Sequence, residues 1–179
     1  MSATIIFAFG KDGNIKNSYE ISNAFRGAMA VWLELEKRYL PPAIWKFEPE
    51  YPTPPNWSRM YGYNDDQMQE VWNLFSNKDV SLNERICLGT TFDNVLVKKE
   101  NIKTVISAFK AFGGSTSLPE QAKILEVLAD DDDCIAAGWG QTNVCGENWE
   151  CYECNENGEP ICYNCLTGEK HWWLFDELK

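Results

Sequence analysis

A single histidine, His171, occurs in the 179 residues, and that scarcity bounds the chemistry at once. Any Cys–His or Ser–His dyad has to use this one ring. The H-E-x-x-H and G-x-S-x-G signatures are missing, which removes the common metalloprotease and nucleophile-elbow arrangements. Neither G-x-G-x-x-G nor G-x-x-x-x-G-K-[ST] occurs, so Gly10-Lys11-Asp12-Gly13-Asn14 reads as a turn rather than a phosphate loop. The zinc-deaminase pattern fails because Ile161 precedes Cys162 and Trp172-Trp173 follow His171. The apolar run near the start, Ala3–Phe9, is far too short to span a bilayer, and no basic segment precedes it. A cytoplasmic, non-enzymatic protein is the expectation.

Cations are also scarce, but only in one place. Residues 1–60 hold seven Lys/Arg against six Asp/Glu, and residues 61–129 hold seven against nine. Residues 130–179 hold only Lys170 and Lys179 against twelve carboxylates. Nearly all of the net charge of −11 therefore belongs to the last fifty residues. A zinc module that touches nucleic acid needs basic side chains to neutralise phosphates. This tail would repel a phosphate backbone, so the expected partner is a protein with a basic surface.

Cysteine, by contrast, is plentiful and patterned. Cys151, Cys154, Cys162 and Cys165 form two C-x-x-C knuckles separated by seven residues that include Asn157-Gly158, a tight-turn signal. The array reads as a zinc ribbon, in which four thiolates complete a tetrahedral site. No open position is left for water, so the metal, Zn2+, is expected to be structural. Two disulfides would need an oxidising compartment, and a four-thiolate site also suits iron. Cys145 and His171 are alternative ligands by proximity. Cys87 and Cys134 lie in apolar surroundings and read as buried thiols, with a nucleophilic role as the enzymatic alternative.

Along the chain, Thr4–Phe9 is a buried strand. Residues 18–39 read as a helix, with Asn17 and Glu20 as a capping pair and Ile21, Ala24, Phe25, Ala28, Trp32, Leu35 and Tyr39 as its stripe. Residues 41–60 carry six of the eight prolines, interleaved with Trp45, Phe47, Tyr51 and Trp57. That loop is either a packed cover or a partner-binding loop. A second helix opens at Asn64, with Met68, Val71, Trp72 and Phe75 inward. Arg85–Thr91 and Val95–Val97 read as a hairpin turning at Asp93-Asn94, or Ser81 and Glu84 cap a helical turn instead. Asn101–Phe112 and the segment after Ser117 are helices.

Asp130, Asp131, Asp132 and Asp133 follow that last helix, where they oppose its dipole. They are either a solvated loop or a contact for a basic partner, with calcium a further alternative. Cys134–Gly140 and His171–Phe175 read as two strands that pair and bring Trp139, Trp149, Trp172 and Trp173 towards the metal module.

The expected fold is α+β. Residues 1–142 form a main body of about four helices on a small sheet, and residues 143–179 form an acidic zinc ribbon. Partner-binding candidates are Asp130–Asp133, Glu147, Glu150, Glu153, Trp149, Trp172, Trp173, Trp45 and Trp57. The expected role is binding another protein through an acidic, Trp-rich surface, in its sharpest form as a nucleic-acid-mimicking inhibitor of a defence nuclease. A zinc-ribbon adaptor that docks by aromatic contacts is the alternative.

Overall fold

The computed structural model describes residues 3–43, 57–61, 65–142, 166 and 171–178. Its first reversal is the glycine turn. The Asp12 carboxylate accepts from the Asn14 backbone N–H at 3.0 Å, and Gly13 takes φ +81°, which costs a glycine little. The turn lays β1 (Ala3–Gly10) antiparallel to β2 (Ile15–Ser22).

Residues 18–22 are therefore strand, contrary to the expected helix over 18–39. Ser, Tyr and Ile dominate this stretch and are weak helix formers. The turn also places them alongside the unpaired backbone of β1, and Tyr19 and Ile21 pack on the helix-side core. The helix proper, α1 (Ala28–Tyr39), starts only after a turn over 23–27, and it buries Val31 and Leu35.

α2 (Asp65–Trp72) runs into a single 3-10 turn, Asn73–Phe75. α3 (Leu82–Gly89) then replaces the first arm of the expected hairpin. Ser81 Oγ caps it by accepting from the Glu84 N–H at 3.3 Å, and this local bond together with apolar Ile86 and Leu88 favours helix over strand. β3 (Val95–Lys98), α4 (Lys99–Phe112), α5 (Leu118–Asp130) and β4 (Cys134–Thr142) follow. β5 (Trp172–Trp173) and α6 (Leu174–Glu177) complete the described chain.

The architecture is α+β, with six α-helices and a five-stranded mixed sheet among the described residues. The sheet order is β2-β1-β4-β3-β5, and only the β3–β5 pair is parallel. The strands at 134–142 and 172–173 do not pair with each other as expected, because β3 lies between them. Val95, Leu96 and Val97 are all buried, so β3 gains most by having neighbours on both edges. Trp139 likewise faces the helix layer, with its Nε1 donating to Gln121 Oε1 at 3.0 Å.

One face of the sheet carries the main core, in which Ile6, Ala8, Val97 and Trp139 meet Leu35, Ile102, Phe109 and Leu125. The reverse face carries a second cluster of Phe7, Phe9, Leu96 and Ala136, with Ile5, Ile15, Leu166 and Trp173 packed against it. Gly138 makes room for it: a Cβ there would stand 3.0 Å from Leu96 Cδ2 and 3.1 Å from Phe9 Cε2.

The ends of the proline-rich loop are held by one guanidinium. Arg59 Nη1 donates to Glu36 Oε1 and to the Pro41 carbonyl, both at 2.9 Å, and Arg59 Nε donates to Glu70 Oε2 at 2.7 Å. Ser58 Oγ and the Arg59 N–H also bond the Glu36 carboxylate, so this buried acid is well partnered. The middle of the loop, including Trp45, lies outside the described residues.

Residues 171–178, assigned from sequence to the ribbon module, join the body. Leu174 is fully buried, Leu178 O accepts from Arg85 Nη2 at 3.4 Å, and Trp172 packs edge-on against Phe75. Replacing Leu174 with Ala is expected to cost about 2–5 kcal/mol of whole-body stability. The check is urea unfolding followed by helix circular dichroism; an unchanged midpoint would show these residues to be a separate appendage.

Candidate functional site

The site grows from the glycine turn and the end of α5. Where β1 pairs with β2 the register shifts between Ala8 and Phe9, which face Asn17 and Ile15, and Lys16 is left as the extra residue. Such a bulge re-aims a side chain. Here Lys16 Nζ reaches Asp131 Oδ2 and Asp133 Oδ2, both at 3.1 Å. The Asp131 carboxylate also accepts from the Asp133 backbone N–H at 2.9 Å. Lys99 Nζ donates to the Asp131 carbonyl, placing a cation at the negative end of α5, where the acidic run would otherwise be unopposed.

The Asp133 N–H foremost, and then Lys16, hold the Asp131 carboxyl below the usual carboxylate range. The hydrogen bonds that Lys16 donates to the Asp133 and Asp131 carboxylates hold its ammonium above its ordinary value. The run is thus divided: Asp131 and Asp133 are tied to Lys16, while Asp130 and Asp132 are exposed.

The same corner receives Leu166, which follows Cys165 in the sequence. The Leu166 N–H donates to the Gly13 carbonyl at 2.9 Å, and its side chain packs on the Phe7–Phe9 cluster. Acidic run, glycine turn and Leu166 thus share one corner of the sheet.

The other candidates are spread out. The His171 ring stands edge-on to Phe9 at 6.0 Å, with Nδ1 3.4 Å from the Asn94 carbonyl. Trp172 Nε1 donates to the Asp93 carbonyl at 3.0 Å, and Lys98 Nζ lies 5.4 Å from the centre of the Trp173 ring. Trp57 is half-buried beside the Arg59 clamp. Cys145, Cys151, Cys154, Cys162, Cys165, Glu147, Glu150, Glu153, Trp45 and Trp149 lie outside the described residues. Among the described residues no group of three or more His, Cys, Asp or Glu side chains is placed to hold a metal ion, the acidic run included.

The two described thiols are poor nucleophiles. Burial pushes the Cys87 thiol far above its ordinary value, and burial also raises Cys134, which donates to the Ala136 carbonyl at 3.4 Å. Sequence reasoning missed Lys16, because nothing in its neighbours signals a bulge. It also missed Arg59, which stands among prolines rather than on a periodic element.

Comparison with known proteins adds no family: no protein-family model, curated protein sequence or solved structure matches the chain. Among the described residues no helix is long and apolar enough to cross a membrane.

A depressed carboxyl contributes stability that is present at neutral pH and lost as the pH falls through its folded-state value, below the ordinary Asp range. Lys16→Ala is expected to raise the Asp131 titration midpoint, followed by the NMR shift of its side-chain carboxyl carbon. Part of the depression should survive through the Asp133 N–H. An unmoved midpoint would mean that Lys16 does not govern this corner.

Proposed function

We propose that the chain is a non-enzymatic, acidic zinc protein that binds another protein, and that its acidic corner occupies a basic groove in place of phosphates. Cys151, Cys154, Cys162 and Cys165 hold the Zn2+, which serves structure. The carrying observation is that Asp131 and Asp133 are held by Lys16 at one side of the β1–β2 turn while Leu166, the chain neighbour of Cys165, is held by the Gly13 carbonyl in that turn. A concentrated negative field of this kind steers encounter with a cationic surface. Two of the four aspartates are already paired with Lys16, so Asp130, Asp132 and the carboxylates Glu147, Glu150 and Glu153 carry most of the free charge in this reading.

The alternative is an adaptor that docks by aromatic contacts. It is favoured by Phe25, whose side chain is wholly exposed. An enzyme using Cys134 or Cys87 finds little support in two buried, protonated thiols.

Elemental analysis of the purified chain is expected to give one zinc per molecule, released by Cys154→Ser. In this reading, binding to a basic nucleic-acid-binding protein weakens with salt and is displaced by duplex DNA, and the change of Asp130–Asp133 to Asn reduces it. Binding that ignores salt and DNA would reject mimicry; binding that ignores the Asn replacement would favour the adaptor.

A further inference from the structure

Directly after β2 the chain makes a turn that is costly twice over. Ala24 and Phe25 both take positive φ, +42° and +67°, a region that L side chains rarely adopt. Phe25 is also fully exposed, at 102% of its reference area, so its ring gains nothing from the core. Met29, on the first turn of α1, is 46% exposed.

This is not a loose loop. Thr4 Oγ1 donates to Asn23 Oδ1 at 2.8 Å, and the Arg26 N–H donates to the Asn23 carbonyl at 2.6 Å. The Arg26 carbonyl accepts from the Ser117 N–H at 2.7 Å, and its guanidinium pairs with Glu120 at 2.7 Å. The body thus grips both sides of the turn and holds the ring out in solvent. Strain that the surroundings enforce, at a residue that does nothing for packing, is a mark of function.

The turn is continuous with an open sheet edge. β2 is the terminal strand, and among the described residues nothing pairs with its outer side. From Asn17 to Ser22 its register with β1 is regular, with no bulge, Pro or Gly to blunt the edge. Its one lysine, Lys16, is bent away to Asp131 and Asp133. An unpaired row of backbone N–H and C=O groups is satisfied by one kind of partner, an extended strand. Of the charges on β2 and its two flanking turns, Lys16 is taken up by Asp131 and Asp133 and Arg26 by Glu120, which leaves Asp12 and Glu20 against Lys11, so the complementary strand is basic.

We infer that β2 and Phe25 form one docking surface for an extended, basic segment of a partner protein. The segment adds as a sixth strand outside β2, and its protein receives the Phe25 ring in an apolar pocket or against an apolar side chain. The inference rests on the reading of the chain as a protein-binding protein, but not on the metal centre.

The test uses the full chain, labelled with 15N, and a peptide of alternating Lys and Val ending in Leu, as long as β2. The controls are its Glu-for-Lys counterpart and a version N-methylated at alternate peptide bonds. The Lys–Val peptide is expected to slow exchange of the alternate amides of residues 17–22 that point away from β1 and to shift the Phe25 signals, and the two controls are not. Phe25→Gly is expected to weaken binding about tenfold or more. The same change should raise the melting midpoint by a few degrees, because glycine relieves the strain.

Silence of the β2 amides up to millimolar peptide overturns the proposal, and so does equal affinity for Phe25→Gly. Protection of the outward-pointing amides without peptide also overturns it. In a monomer the chain itself would then cover the edge; in a concentration-dependent dimer a second copy would. Zinc content is measured separately, so the metal reading and this one fail independently.

Discussion

The inner strands of the sheet, β1, β4 and β3, are buried on both faces, and most of the structure follows from that constraint. Along β1, Ile6 and Ala8 enter the helix-side core while Phe7 and Phe9 enter the reverse one. β3 is divided in the same way, with Val95 and Val97 on one side and Leu96 on the other. Strands of this composition usually belong to parallel sheets covered by helices on both faces. Here every neighbouring pair but β3–β5 is antiparallel, and the described cover of the reverse face comes from Leu166, Trp173 and Ile15. The chain after β4 therefore has to return across the sheet before it finishes. Its closing residues complete both the sheet and the main core, so body and tail are joined by burial as well as by the chain.

The cations of this acidic protein are largely spent on internal pins. Lys16 and Lys99 fasten the end of α5, and Arg59 fastens α1 to α2. Arg38 bonds Glu84 at 3.0 Å and the Phe112 carbonyl at 3.0 Å while lying 4.6 Å over the Phe112 ring. Arg26 ties the turn after β2 to α5. Positive charge engaged in this way screens its own partners and little else. Each pin to a carboxylate neutralises that carboxylate as well as its cation, so the net charge of −11 still sets the field that an approaching molecule meets.

Helices with a long amphipathic stripe and a clear stop were legible in the sequence. Ile102, Val105, Ile106 and Phe109 mark α4, and Gly113 ends it at φ +73°. The early helix was misjudged because Ile21 and Phe25 fall at helical spacing from Trp32 and Tyr39 by coincidence; the tight turn and the unpaired edge of β1 decide for strand. α3 was hidden because Ile86, Cys87 and Leu88 form a continuous apolar run that suits a buried strand as well as a buried helix. Of the candidate site, the acidic run was visible as composition. Its cation was not, because the contact joins residues 16 and 131, which only the fold brings together. The cysteine spacing remains a statement of the sequence, because its four residues lie outside the described ones.

Arg59 has one more consequence. By holding the Pro41 carbonyl and its own backbone against Glu36, it turns the stretch between them into a closed ring whose ends are fixed by the body. For such a ring the entropy of closure grows only with the logarithm of its length, and doubling the length costs about 0.6 kcal/mol. Closure therefore sets only a weak limit on the length of the stretch 44–56, provided the arginine and its carboxylate survive. Diversity among relatives should concentrate there.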